Sequence, residues 1–283
     1  VPARHPEIKT MIRGLFLPEE GCQWGSFDYS AQEPRWLMHF ASLTPDTRSH
    51  PKVKEIVAQY QKDDLDFHQM IADLAGVERS HAKTINLGIM YGMGLGKLAS
   101  VLGDIPFEEA RSLRKDYDEK VPFIRDLAAA VMRAASQKAQ IRTMMGRKCR
   151  FPMREQRSYS RLNKPIHFEK LEEQWQEILD TPIEERPDKW GTLDPGRYRV
   201  AFTFKALNRL IQACSADQTK LAMLQCYEAG HVPMLTVHDE LCFSIKDEAS
   251  VKQIVDIMEN CMPEMQIPSR VDYGLSKNWG LAK

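Results

Sequence analysis

The chain has 283 residues, 39 basic and 39 acidic side chains, a formal net charge of zero and 43% hydrophobic residues. That length is enough for a sizeable core, in one large domain or two modest ones. No apolar stretch is long enough for a bilayer span and no secretory signal opens the chain.

The first segment, Val1 to Leu43, reads as a short lead, a strand hairpin and a helix. Asp28 ends the probable strand, and Trp36, Leu37, Phe40 and Leu43 give the helix an apolar face. Pro45 to Lys54 is a turn-rich connection, and two helices follow it, ending near Ala75 and Gly76. Ala82 to Tyr91 reads as a further helix. At about 100° per residue, Arg79, Lys83, Asn86, Leu87 and Met90 share a side, with Tyr91 at its edge. Arg79 and Lys83 are one turn apart with no acid between them, so an anion is the natural partner; a solvated basic face is the plain alternative. Glu108 to Gln140 reads as two helices, the first charged and the second alanine-rich, and Ile141 to Phe151 as a hairpin turning at Gly146.

Charge is uneven. From Arg133 to Lys164 there are ten Lys or Arg against one acid, Glu155; from Glu169 to Asp188 there are eight acids against two bases. The first stretch suits phosphates or is a solvated surface, and the second reads as a solvated helix. The six cysteines form no Cys-x2-Cys pair, which fits free thiols in a reducing cytoplasm. Pro152 to Arg199 is rich in charge and proline, with one helical segment from Phe168 to Leu179. A long helix runs from Val200 to Gly230. A helix from Glu248 to Cys261 and a strand before Trp279 end the chain.

Between them, Met234 to Ile245 reads as strand, tight turn, strand, with Val237-His238-Asp239-Glu240 at the turn. If the strands that carry Asp28 and Asp239 are neighbours, two carboxylates can share hard divalent cations. Oxygen ligands suit magnesium, and a paired site suits in-line displacement at phosphorus. Each aspartate alone is an ordinary turn or cap residue.

Three segments together resemble motifs A, B and C of family A DNA polymerases, the polymerase I type. Asp28-Tyr29-Ser30-Ala31-Gln32-Glu33-Pro34-Arg35 resembles Asp-Tyr-Ser-Gln-Ile-Glu-Leu-Arg; Arg79 to Gly92 resembles Arg-x3-Lys-x2-Asn-Phe-Gly-x2-Tyr-Gly; Val237 to Glu240 matches Val-His-Asp-Glu. Asn208 and Gln212 fit an Asn-x3-Gln palm helix, and Tyr273 to Trp279 fits the terminal Gly-x3-Asn-Trp. The resemblance spans nearly the whole chain and looks phage-like. It implies an α+β fold: a palm with an antiparallel sheet (residues 1–45 and 143–283, with an insertion at 153–199) and all-helical fingers (46–142). The family's thumb and exonuclease would lie upstream of Val1.

The resemblance also implies roles. Asp28, the Tyr29 carbonyl and Asp239 would hold two Mg2+ ions. Arg79, Lys83 and His68 would face a deoxynucleoside triphosphate, with Lys83 as proton donor to the leaving group. Leu87, Tyr91, Glu33 and Gln32 would complete the nucleotide site, Gln32 through its backbone position. Asn208, Gln212, His238, Arg147, Lys148 and Arg150 would contact primer-template DNA. Leu87 stands where the family carries an aromatic residue. A single-subunit RNA polymerase and a DNA- or partner-binding piece without activity are the competing readings. Any processivity factor is unspecified. The expected location is the cytoplasm of a bacterium or of a phage-infected cell, away from membranes.

Overall fold

Amphipathic spacing and turn chemistry place most of the elements in chain order. A computed structural model describes residues 6–62, 66–75, 78–90, 93–158, 164–187 and 190–282. The order is α1 (Pro6–Arg13), β1 (Gln23–Tyr29), α2 (Gln32–Leu43), α3 (Pro51–Lys62), α4 (Phe67–Ala75), α5 (Arg79–Met90), α6 (Leu95–Val101), α7 (Phe107–Lys120) and α8 (Pro122–Lys138). There follow β2 (Gln140–Arg142), β3 (Lys148–Arg150), β4 (Met153–Gln156), β5 (Ile166–His167), α9 (Phe168–Asp180), β6 (Tyr198–Val200), α10 (Ala206–Glu228), β7 (Leu235–Val237), β8 (Glu240–Ile245), α11 (Glu248–Asn260) and β9 (Val271–Ser276). The mixture of packed helices and antiparallel sheets is α+β, as the sequence implies. Among the described residues no helix is long and apolar enough to cross a membrane.

The chain folds as two units, residues 1–83 with 211–283, and residues 84–210. In the first, the sheet order is β7-β8-β1-β9. β1 is central and buried on both faces, which explains its nearly continuous burial from Trp24 to Phe27. One expectation fails here. β1 makes no hairpin with the preceding segment, which is α1 and coil; its partners are β8 and β9, from the far end of the chain. A buried strand must pair the N–H and C=O groups of both its edges, and chain proximity does not supply both partners. One face packs Phe27 edge-on to Phe243 at 5.6 Å and stacked on Tyr273 at 5.8 Å. On the other, Trp24, Cys242, Trp279 and Ala282 form a buried cluster. Arg13 of α1 lies 4.3 Å over the Trp279 ring. Gly280 permits this approach, because a Cβ there would stand 2.7 Å from the Thr10 carbonyl oxygen.

In the second unit, the Asn86 and Tyr117 side chains hydrogen-bond in the interior. β2 and β3 form the expected hairpin, with Gly146 at φ +81° as the left-handed residue that closes it. The 153–199 stretch holds more than the expected helix. β5, β4 and β6 form a three-stranded antiparallel sheet around α9. Its strands are two to four residues long, too short to show an alternating pattern. α6 was likewise not expected, since a seven-residue helix gives barely two turns of periodicity.

Candidate active site

The sheet register brings the two aspartates together. β1 and β8 run antiparallel with Asp28 opposite Glu240, so Asp239, one residue earlier at the β7–β8 turn, sits beside Asp28. The turn has two residues between Val237 and Glu240, and His238 takes the left-handed conformation at φ 58°. Histidine tolerates that region better than bulky or β-branched residues do. The Asp28 and Asp239 carboxyl groups are within hydrogen-bond reach. Burial first, and then the Asp28 charge, raise the Asp239 pKa to about 6. Two carboxylates held against each other in a partly buried site form a donor set that suits a hard cation. Asp28 and Asp239 therefore fit a divalent cation in the oxygen donors that they offer. Among the described residues no group of three or more His, Cys, Asp or Glu clusters as a metal site, so further ligands would come from the main chain, water or substrate.

Glu240 lies opposite Asp28 in the register but is engaged by other partners. It is buried, and its Oε1 accepts from the Trp279 indole N–H at 3.2 Å and from the Cys242 thiol at 3.5 Å. Alternation along β8 puts Glu240 on the same face as Cys242, next to Trp279. Tyr29 is anchored too: its hydroxyl donates to the Met258 carbonyl at 2.7 Å, and burial drives its pKa far above the ordinary tyrosine range. The buried Cys226 and Cys242 thiols are pushed up to about 12 by burial, which keeps them protonated and inert.

Beside the pair opens a cleft of ≈ 500 Å³ lined by Gln32, Glu33, Gln212, Ser215, Ala216, His238 and Asp239. Four sequence-predicted residues, Gln32, Glu33, Gln212 and His238, therefore meet at Asp239. Ser215 and Ala216 join them. Their signal was the helical period, because they lie three and four residues after Gln212 and share its side of α10. The Gln32 side chain does more than follow its backbone. Its amide nitrogen donates to the Ser215 carbonyl at 3.3 Å, Gln218 Oε1 at 3.1 Å and Thr219 Oγ1 at 3.2 Å. Gln218 also accepts from Trp36 Nε1 at 2.9 Å and donates to Ser269 at 2.7 Å. This buried network ties α2 to α10. Arg35, also buried, donates to the Ser30 and Pro268 carbonyls at 2.8 and 2.6 Å and fixes the start of α2.

In the same unit, α4 and the start of α5 gather His68, Arg79 and Lys83. Arg79 has an acidic neighbour that the α5 sequence did not reveal: Asp66, whose Oδ2 accepts from its Nε at 2.8 Å. Burial works against ionisation of Asp66, but the Arg79 bond and the Gln69 and His68 amides hold its pKa below the usual range. His68 is buried, and burial together with the Lys83 and Arg79 charges outweighs Asp66 and lowers its pKa. Lys83 is exposed. Tyr91 lies outside the described residues, as does the Leu87 side chain.

The remaining predicted residues lie in the second unit. Arg147, Lys148 and Arg150 are exposed on the β2–β3 hairpin, and Asn208 is half-buried in the first turn of α10.

Residues 1–281 match the family model described as DNA polymerase family A. The chain belongs to DNA polymerase family A. Among its family A relatives, it is 36% identical over 316 aligned positions to a "DNA-directed DNA polymerase" of Pseudomonas phage M6, covering 99% of this chain and 41% of that protein. It is 27% identical to "DNA polymerase DpoZ" of Acinetobacter phage SH-Ab 15497, covering 100% of this chain and 42% of that protein. It is 30% identical to "DNA polymerase I" of Rhizobium leguminosarum, covering 99% and 25%. This family A chain thus spans about two-fifths of the length of the phage relatives it matches. Its fold superposes on the POL domain of Pol1 from M. smegmatis, solved with DNA primer-template and dNTP, with TM-score 0.69 and 24% identity over 100% of this chain and 44% of that one.

Proposed function

We propose that this chain catalyses template-directed addition of deoxynucleotides to a primer 3′ end, with two Mg2+ ions held by Asp28, Asp239 and the Tyr29 carbonyl. The observation that carries the reading is the register that sets Asp239 against Asp28 at the mouth of a cleft. Family membership supplies the reaction class. Bound there, magnesium supplies Lewis-acid activation of the primer hydroxyl and charge neutralisation at the phosphates.

The chain's own residues do the rest. Asp28 and Asp239 supply the anionic oxygens that make the site selective for hard cations. Arg79, Lys83 and His68 face the triphosphate. Burial, and after it the Lys83 and Arg79 charges, lower the His68 pKa, which favours a neutral imidazole as the donor. Asp66 fixes the Arg79 guanidinium from one side and limits its rotamers before an anion arrives. Lys83, exposed, gives a proton to the leaving group. Glu33 at the cleft wall, with Tyr91, excludes a 2′-hydroxyl, and Leu87 meets the sugar and base. Gln212, Asn208 and His238 contact the primer-template, and Arg147, Lys148 and Arg150 contact its phosphates. Residues 1–45 and 143–283 act as palm, and 46–142 as fingers that close on correct pairing.

Primer extension in magnesium tests the reading. The chain should extend a DNA primer with deoxynucleotides and poorly with ribonucleotides, and Asp28→Ala or Asp239→Ala should abolish extension while circular dichroism stays native. A loss under about tenfold in either variant, against a rate scale on which about 1.4 kcal/mol is tenfold, refutes the metal assignment. Preference for ribonucleotides would favour an RNA polymerase. Binding of labelled primer-template that does not tighten with the matching triphosphate would favour a binding piece.

A further inference from the structure

Behind the wall of the active-site cleft lies a set of buried polar side chains that the proposed chemistry leaves unused, and Gln218 is its centre. Gln218 is 1% exposed. Its Oε1 accepts from Gln32 Nε2 at 3.1 Å and from Trp36 Nε1 at 2.9 Å, and its Nε2 donates to Ser269 Oγ at 2.7 Å. Three segments of the first unit therefore meet on one amide: α2 through Gln32 and Trp36, α10 through Gln218 itself, and the stretch before β9 through Ser269. Gln218 lies three residues after Ser215, so it continues the side of α10 that lines the cleft.

Stability alone does not call for this network. Replacing both partners of a buried hydrogen bond by apolar groups of the same shape is close to neutral, whereas removing one partner leaves a costly unpaired group. What a fully satisfied network supplies is rigidity and a single arrangement. The start of α2 needs that. Ala31, just before the helix, holds a left-handed backbone at φ 51° without being glycine, and no side chain caps the helix. Such a turn persists only where its surroundings over-determine it.

Residues 268–270 do so. The Arg270 carbonyl accepts from the Ser30 N–H at 2.8 Å, the Pro268 carbonyl accepts from Arg35 at 2.6 Å, and Ser269 holds Gln218. Gln32 is the first residue of α2 and closes the circuit back to Gln218. The next residue is Glu33, at the cleft wall with Asp239. The bonds of Gln218 thus end one residue from the side chain that meets the sugar.

We propose that Gln218 is a positioning residue for sugar selection: through Gln32 it fixes how far Glu33 reaches into the cleft, and so how strongly a 2′-hydroxyl is excluded. This assignment rests on the proposed polymerase reading, in which Glu33 excludes that hydroxyl. Exclusion of a single oxygen depends on fine placement, and a shift of about 1 Å can cost on the order of a hundredfold in rate.

The test is the ratio of deoxy- to ribonucleotide kcat/KM in primer extension by the full chain. Gln218→Met nearly keeps the volume but leaves Gln32, Trp36 and Ser269 without their shared partner. It should lower the ratio about tenfold, a fraction of what a full misplacement costs. Ser269→Ala removes one bond, and should lower the ratio about threefold, within the worth of a single hydrogen bond. If Gln218→Met does not fold, Ser269→Ala decides. A merely structural role would lower the urea midpoint and slow both nucleotides together, with the ratio kept. In a Glu33→Ala background neither substitution should move the ratio further, because Gln218 acts through Glu33. An unchanged ratio in the folded variants, or a fall of equal size with Glu33 already removed, overturns the proposal. Failure of the polymerase reading looks different: the unaltered chain would not extend the primer, or Glu33→Ala alone would leave the ratio where it was, and the proposal would fall with it.

Discussion

The Asp28–Asp239 pair makes a prediction that can be read without any nucleotide. In the metal-free protein, Asp239 has its pKa raised from 3.8 to about 6. A group raised on folding contributes stability that is complete below its unfolded pKa of about 4 and is lost as pH rises through about 6. The full difference corresponds to about 3 kcal/mol at about 1.4 kcal/mol per pKa unit. Asp239 is part-exposed, so solvent screening reduces that to about 2 kcal/mol. Burial is the larger cause and the Asp28 charge the smaller. Asp28→Asn should therefore return about 1 kcal/mol at pH 7 to 8, from the charge alone. The assay is urea unfolding in chelator from pH 4 to 8. The native chain should lose stability between pH 4 and 6 more steeply than the variant, and the variant should be the more stable one at neutral pH. Added magnesium should stabilise the native chain by mass action and leave Asp28→Asn unmoved. If Asp28→Asn unfolds at the same or lower urea at every pH, the carboxylates do not oppose one another and the site's cation logic fails.

Other tests bear on separate parts of the molecule. Glu33→Ala should raise ribonucleotide relative to deoxynucleotide incorporation at a cost in rate; an unchanged ratio removes Glu33 from sugar selection. Neutralising Arg147, Lys148 and Arg150 together should flatten the logarithmic salt dependence of primer-template binding by up to about three in slope, and an unaltered slope makes them plain surface charges. His39 is buried against Trp36 and Phe40, its Nδ1 accepts from the Gln266 amide at 3.1 Å, and burial lowers its pKa to about 4. Its contribution is present above about pH 6.5 and is lost as pH falls toward about 4, at up to about 1.4 kcal/mol per pH unit. His39→Asn keeps the acceptor and cannot titrate, so its acid unfolding should be shallower in that window; an unchanged slope would refute the assignment.

Local pattern determined much of this protein. The β7–turn–β8 hairpin, the Gly146 hairpin, α7, α8, α10 and α11 follow from apolar period and turn residues, because each is stabilised chiefly by neighbours within a few positions. The motif residues Asp28, Asp239, Glu33 and Gln212 were legible for the same reason, since each sits at a fixed place on a local element. Tertiary structure alone decided where those elements meet. No local signal pairs β1 with β8 and β9 in place of a hairpin; that choice comes from pairing both backbone edges of the buried Trp24 to Phe27 stretch at once. The Asp66 bond to Arg79 runs from the residue before α4 to the first residue of α5. The Glu240 bond to Trp279 and the Gln32 bonds into α10 close over long stretches of sequence. Such contacts arise where desolvated polar groups must find partners, and the partner is set by packing geometry that no spacing in the sequence encodes.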